Sequence, residues 1–164
     1  MNLAHFGPVA EGAPVFGACR PGHLGGDVAE WTGILDEGGV SEVVCLLSDG
    51  EAGRWGLPGA YDGAFGTHHV PIRDRHLPAA DRLAGAVDRL AAATADGGRV
   101  AVHCNAGLGR TGVVAAAWLV RERGHDPATA VDVVETGPMP RAPREAVREG
   151  NATEAELYDL LASV

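Results

Sequence analysis

Cys104, Arg110 and Thr111 fall within one stretch, His103-Cys104-Asn105-Ala106-Gly107-Leu108-Gly109-Arg110-Thr111-Gly112. An apolar run, Val100-Ala101-Val102, precedes the cysteine, and a longer one, Val113 to Val120, follows the arginine. The pattern predicts a buried strand, a tight glycine-containing loop and the start of a helix. A loop of this kind gathers backbone N–H groups around a concavity. The helix N-terminus adds partial positive charge, so the cup suits a phosphate-sized anion. A cysteine placed there beside a cation is favoured as its thiolate. Cys104 is then a nucleophile aimed at phosphorus. Arg110 offers a planar fork to two phosphoryl oxygens and to the charge of the transition state. Thr111 offers a hydroxyl to the sulfur and eases its later departure. Gly107 and Gly109 let the backbone turn and approach a ligand without a Cβ in the way. The predicted substrate-binding residues are Asn105, Ala106, Gly107, Leu108, Gly109 and Arg110. The alternative is a plain buried cysteine in a strand-to-helix turn.

Thiolate attack on a phosphomonoester expels an alkoxide or phenoxide. A general acid that protonates it typically contributes about 10²–10⁴-fold. Asp74 is the candidate, because Arg73-Asp74-Arg75 lies after a predicted strand and before a predicted helix. A solvated ion-pair cluster with those arginines is the competing reading of Asp74.

The elements that must hold these groups can be read in order. Residues 1–13 form a loop-rich entry, followed by a short strand around Val15 to Cys19. Asp27 caps a helix with the stripe Val28, Trp31, Ile34 and Leu35, ended by Gly38-Gly39. Val43 to Leu47 is apolar without alternation, as in a parallel strand covered on both faces. Residues 48–66 are rich in glycine. Trp55, Leu57, Tyr61 and Phe65 there suggest a short amphipathic helix, which the glycines weaken. Thr67 to Ile72 reads as a strand, and about Ala79 to Ala95 as a helix bearing Leu83, Val87 and Leu90. The helix after the cysteine loop stops at Gly124. Asp126-Pro127 opens another, and three prolines within residues 138–143 suggest a connector. Thr153 with Glu156 makes a capping box for a last helix. Strands alternating with helices predict one α/β domain over residues 1–164, with a central, mostly parallel, twisted sheet flanked by helices.

Composition narrows the partners. At 164 residues with 46% hydrophobic and 21% charged, the chain suits a single folded core. A formal net charge of −9 argues against nucleic acid or an anionic membrane as partner, so the cup must be positive by local design. The run Val113–Val120 is too short to cross a bilayer, and the first residues lack a secretion-signal pattern. Cys19, Cys45 and Cys104 do not read as a disulfide framework. A reducing, cytoplasmic setting is expected, with Cys19 or the better-placed Cys45 as a partner for Cys104 on oxidation. His5, His68, His69 and His76 do not make a metal site, since adjacent His68 and His69 on a strand face opposite ways. Neither metal nor other cofactor is expected. Arg141, Arg144 and Arg148 either meet an acidic phosphopeptide or form a solvated helix face, the latter being the default. The chain has no lysine and no glutamine, which with abundant arginine, alanine and glycine reads as coding bias.

The stretch around Cys104 resembles the signature loop of cysteine-dependent protein tyrosine phosphatases: His-Cys, five residues, Arg, then Ser or Thr. By that resemblance Cys104 is the nucleophile, Arg110 the phosphate-binding arginine, Thr111 the hydroxyl residue, and His103 the histidine that helps set the cysteine's charge state. Val70-Pro71-Ile72-Arg73-Asp74 with Pro78 resembles the acid loop of small dual-specificity phosphatases. Cys19-Arg20-Pro21-Gly22, Leu47-Ser48-Asp49-Gly50-Glu51, Thr67-His68-His69 and Asp126-Pro127 are similar to pieces of the kinase-associated phosphatase group. Together the likeness spans about residues 15–136. It implies a cysteinyl-phosphate intermediate, no metal, and phosphorylated protein as substrate, phosphotyrosine above all and phosphoserine or phosphothreonine besides. A small phosphorylated metabolite, or a phosphate-binding module without turnover, are the other readings. A cup without lysine speaks against a polyphosphorylated lipid. Residues 137–152 depart from the pattern, because related enzymes often supply a late glutamine that orients the hydrolytic water. That leaves Asp74 to activate the water, with Asn151 or Glu135 as candidate helpers, and slow hydrolysis of the phosphoenzyme is the expected consequence.

Overall fold

Val100–His103 (β5) is the middle strand of a five-stranded sheet, and every one of its residues is buried. In the computed structural model, which describes residues 1–164, Val15–Ala18 (β2) lies parallel on one side of it and Glu42–Cys45 (β3) parallel on the other. Gly66–His69 (β4) continues the sheet beyond β3, again parallel. Gly7–Pro8 (β1) pairs antiparallel with β2 at the opposite edge, giving the order β1-β2-β5-β3-β4. The chain passes from β2 to β3 through Val28–Glu37 (α1), leaving a gap that β5 later fills. A sheet wound in this way opens a crevice at the carboxyl ends of its strands, where ligands bind. The loop after β5 sits there.

Both faces of the sheet are covered, as unalternating apolar strands require. Val44, Val100 and Val102 join the larger core cluster, with Leu83, Val87 and Leu90 of Ala80–Thr94 (α3) and much of Gly109–Arg123 (α4). Val131 and Val134 of Pro127–Thr136 (α5), and Leu157 and Leu161 of Glu154–Ala162 (α7), complete that side. Their neighbours on the same strands, Val43, Cys45 and Ala101, point the other way, into a cluster with Trp31, Leu35, Tyr61 and Phe65. The first eleven residues of α4 are all buried, so the helix behind the cysteine loop is a central pillar. No helix is long and apolar enough to cross a membrane.

Local signals account for most helix ends. Asp27 and Glu30 form a reciprocal capping box for α1, and Thr153 and Glu156 one for α7. Asp126 accepts from the Thr129 N–H, with Pro127 in the first turn of α5. Gly124 closes α4 in the left-handed conformation at φ 69°.

Three segments differ from the sequence reading. The helix in residues 48–66 is Asp49–Trp55 (α2), opened by a Ser48–Glu51 capping box and closed by left-handed Gly56. Trp55 to Phe65 is not an amphipathic helix; only Gly59–Tyr61 makes a turn of 3₁₀ helix. The connector at residues 138–143 is followed by a further short helix, Glu145–Arg148 (α6). Arg141 and Arg144 form no solvated face. Arg141 is 3% exposed, and Arg144 binds Glu135, Glu154 and the Tyr158 hydroxyl. Only Arg148 is largely exposed, 3.5 Å from Glu135.

Candidate active site

β5 ends at His103, and α4 begins at Gly109, so Cys104 and the four residues after it turn between two buried elements. Gly107 has φ 76°, a left-handed value that favours glycine. A Cβ there would also collide with the Ala18 carbonyl of β2. The loop is braced from behind by Arg141. Its Nη1 donates to the Gly107 carbonyl at 2.9 Å, and its Nη2 donates to the carbonyls of Gly17 at 2.8 Å and His5 at 2.9 Å. Burial pushes Arg141 down to about 10, which still leaves it a cation at neutral pH. Arg20 braces the rim: its Nε donates to Asn105 Oδ1 at 2.8 Å while its guanidinium lies 3.7 Å over the Trp55 ring.

Asp74, Arg75, Cys104, Asn105, Ala106, Gly109, Arg110 and Glu145 line a cavity of about 100 Å³. Cys104 is 3% exposed, at its floor. Thr111 Oγ1 donates to Cys104 Sγ at 3.2 Å. Of the predicted substrate-binding residues, Asn105, Ala106, Gly109 and Arg110 line this cavity, and Gly107 and Leu108 belong to the same turn without lining it. Gly107 packs on β2, and Leu108 lines a neighbouring hollow with His5, His23, Leu24 and Ala106. The structure thus brings together Cys104, Arg110, Thr111 and Asp74, with Asn105, Ala106 and Gly109 around them.

Arg110 is held before any substrate is present. Nη1 donates to Glu51 Oε1 at 2.6 Å and to the Ile72 carbonyl at 2.9 Å, and Nη2 donates to Glu51 Oε2 at 3.0 Å. Asp74 Oδ1 lies 3.2 Å from Nη2. Burial alone would raise Glu51, but hydrogen bonds from Arg110 and Ser48 outweigh it and hold the carboxyl down to about 2. The Arg110 Nε–H is buried without an acceptor. A phosphoryl oxygen in the cavity supplies one, which fits the fork to an anion.

His103 is fully buried beneath the loop. Its Nδ1 lies 3.0 Å from the Cys104 carbonyl, which only accepts, so Nδ1 carries the proton. Nε2 then accepts from the Tyr61 hydroxyl at 2.6 Å. Burial pushes His103 down to about 4, so the ring is neutral at pH 7. Burial also raises Tyr61 well above the usual phenol range. His103 therefore orients the Cys104 peptide by hydrogen bonding and not by a positive charge. Burial pushes Cys19 and Cys45 up to about 11, which keeps both as thiols at neutral pH.

The two candidate helpers for water lie elsewhere. Glu135 is occupied by Arg144 and Arg148. Asn151 donates to the Arg75 carbonyl at 2.9 Å, and so holds the acid loop. Glu51, Tyr61 and Glu145, to which the sequence reading gives no part in the site, bear on it, and so does Arg141, which it places on the surface. For Glu51 a signal existed in the Ser48-x-x-Glu51 capping box. The others come from distant segments with no motif.

The family model for the phosphatases described as "Polymorphic toxin system, DSP-PTPase phosphatase" matches residues 16–124. The chain belongs to this family. Its match spans α1, the acid loop and the cysteine loop together. No curated protein matches the sequence. Among solved structures, Tk-PTP in its active form is 23% identical with a TM-score of 0.70, over 94% of this phosphatase and 97% of that chain. Kinase-associated phosphatase, with its catalytic-site cysteine substituted by serine, is 21% identical with a TM-score of 0.70, over 90% and 83% of the two chains. PTPMT1 in complex with PI(5)P is 17% identical with a TM-score of 0.70, over 96% and 97%. These likenesses show that the phosphatase shares their fold, and the family model carries the dual-specificity type that the cysteine and acid loops resemble.

Proposed function

We propose that this phosphatase hydrolyses phosphomonoesters through a cysteinyl-phosphate intermediate, with phosphotyrosine on proteins as the main substrate and phosphoserine or phosphothreonine besides. The observation that carries the reading is the meeting of Cys104, Arg110, Thr111 and Asp74 at one cavity of phosphate size. The phosphoryl group enters the cavity and takes the Arg110 Nε–H and Nη2–H, displacing Asp74 from the fork. Cys104 attacks phosphorus opposite the ester oxygen. Asp74, 40% exposed at the mouth, gives its proton to the departing oxygen. In the second half water attacks the phosphorus, the sulfur leaves as a thiolate that accepts from Thr111, and inorganic phosphate departs. Cys104 lies at the floor of the cavity, and a phosphate on an aryl ring reaches further from a peptide backbone than one on serine. That favours phosphotyrosine.

The test is hydrolysis of aryl phosphates and phosphopeptides by the intact protein, Cys104→Ser and Asp74→Asn. Cys104→Ser is expected to abolish turnover. Asp74→Asn is expected to lower it by about 10²–10⁴-fold, most for poor leaving groups. Turnover that persists in Cys104→Ser overturns the cysteine mechanism. Preference for a soluble phosphoester over every phosphopeptide overturns the protein substrate.

A further inference from the structure

Glu145 has no part in the reaction as described, yet its carboxylate turns into the cavity. It is the first residue of α6, a position where an acid is ordinary. Helix placement does not explain the direction of its side chain. A Cβ on Gly109 would collide with Glu145 Oε1, so the carboxylate lies directly over the backbone of the cysteine loop. The segment is pinned in place, since the Ala142 N–H donates to the Leu108 carbonyl and the Glu145 N–H to the Ala142 carbonyl, each at 3.0 Å. No hydrogen bond or ion pair engages the Glu145 side chain. Burial, then the charge of Asp74, push its pKa upward. A half-buried carboxyl without a partner is costly to keep.

The second half-reaction has a use for it. Water must reach phosphorus from the side opposite the sulfur, which is the mouth of the cavity. Few groups there can accept a proton from water. Arg75 only donates. Asn105 Oδ1 already accepts from Arg20. Asp74 and Glu145 remain. One acceptor leaves a water free to swing about a single O–H···O bond. Two fix the direction of its lone pair.

The geometry points to Glu145 as the second acceptor that, with Asp74, orients the attacking water in hydrolysis of the Cys104 phosphoenzyme. In that step the water oxygen bonds to phosphorus as the phosphorus–sulfur bond breaks. The electron pair returns to sulfur, where Thr111 donates. One water proton passes to a carboxylate and the other stays on the phosphate. Asp74 is the carboxylate that takes this proton, while Glu145 orients the water, and the upward push on Glu145 lessens its repulsion of the phosphoryl group. The inference rests on the cysteinyl-phosphate reading above.

The experiment is rapid mixing of an aryl phosphate with the intact protein, Glu145→Ala and Glu145→Gln, with acid quench and intact mass to detect phosphoenzyme. Glu145→Ala is expected to keep the first, leaving-group-releasing phase and slow steady turnover by roughly 10²-fold. The phosphoenzyme then accumulates and a stoichiometric burst appears. Glu145→Gln, which keeps an oxygen acceptor, is expected to restore much of the turnover. Equal loss in both phases, or no change in either, overturns the role of Glu145 and leaves the cysteine mechanism standing. Absence of any Cys104-dependent release in the wild type overturns the cysteine mechanism itself.

Discussion

Arg110 shows how much of a candidate site residue's placement lies outside its own motif. The loop supplies its position, but Glu51 and the Ile72 carbonyl set the plane of the fork. Hydrogen bonds to charged groups contribute about 1.5–3 kcal/mol. Glu51→Gln keeps a side chain able to complete the Ser48 capping box, so α2 is retained while the charged grip on Arg110 is lost. The expected result is a fall in kcat/KM of roughly ten- to hundredfold, with little change in thermal stability. Steady-state kinetics beside a melting curve check it, and an unaltered kcat/KM removes Glu51 from the positioning of Arg110. Cys104, Arg110 and Thr111 were legible in the sequence because strand, loop and helix start are contiguous. Asp74 was legible because its loop lies between two strong periodic signals. Glu51 was harder to see, since its partner lies 59 positions away.

At the scale of elements, helix caps are legible wherever a clear apolar stripe follows. Asp27 before α1 and Thr153 before α7 are examples. The same chemistry at Ser48 went unread because Gly50, Gly53 and Gly56 dilute the helical signal of α2. β1 is two residues long and has no period to detect. The segment around Arg141 was misread for a different reason. Prolines say where a helix stops, but nothing local says that an arginine will fill a cage of carbonyls from β1, β2 and the cysteine loop. That cage ties three elements to one side chain. Replacing Arg141 by leucine strands several buried carbonyls, each costing about 1–3 kcal/mol. The expected destabilisation is about 3 kcal/mol or more, with loss of activity because the Gly107 carbonyl is freed. Urea unfolding of Arg141→Leu measures it. A midpoint equal to that of the wild type shows that the cage is dispensable.

Over the whole molecule, the site makes stability depend on pH in a way that a chain of net charge −9 does not reveal by composition. His103 is buried neutral, with its pKa pushed down to about 4 from 6.5. Between those values the unfolded chain binds a proton that the folded one refuses. Its contribution is therefore complete above pH 6.5 and is lost as pH falls through 4. The depression is worth about 3 kcal/mol over that window. Glu51 adds a second, lower limb, because its stabilisation is present above pH 4.5 and is lost as pH falls toward 2. Cys19 and Cys45, raised to about 11 from 9, act at the other end. The unfolded thiols ionise first, so stability declines as pH rises from 9 through 11. The expected profile is a plateau between roughly pH 6.5 and 9 with losses on both sides. Urea unfolding of the wild type and of His103→Gln across pH 4 to 8 separates the causes. The variant starts lower, having lost the Tyr61 and Cys104 contacts, but its slope between pH 6.5 and 4 is expected to flatten. An identical slope in both proteins would place the acid sensitivity elsewhere and leave the buried neutral imidazole without consequence for stability.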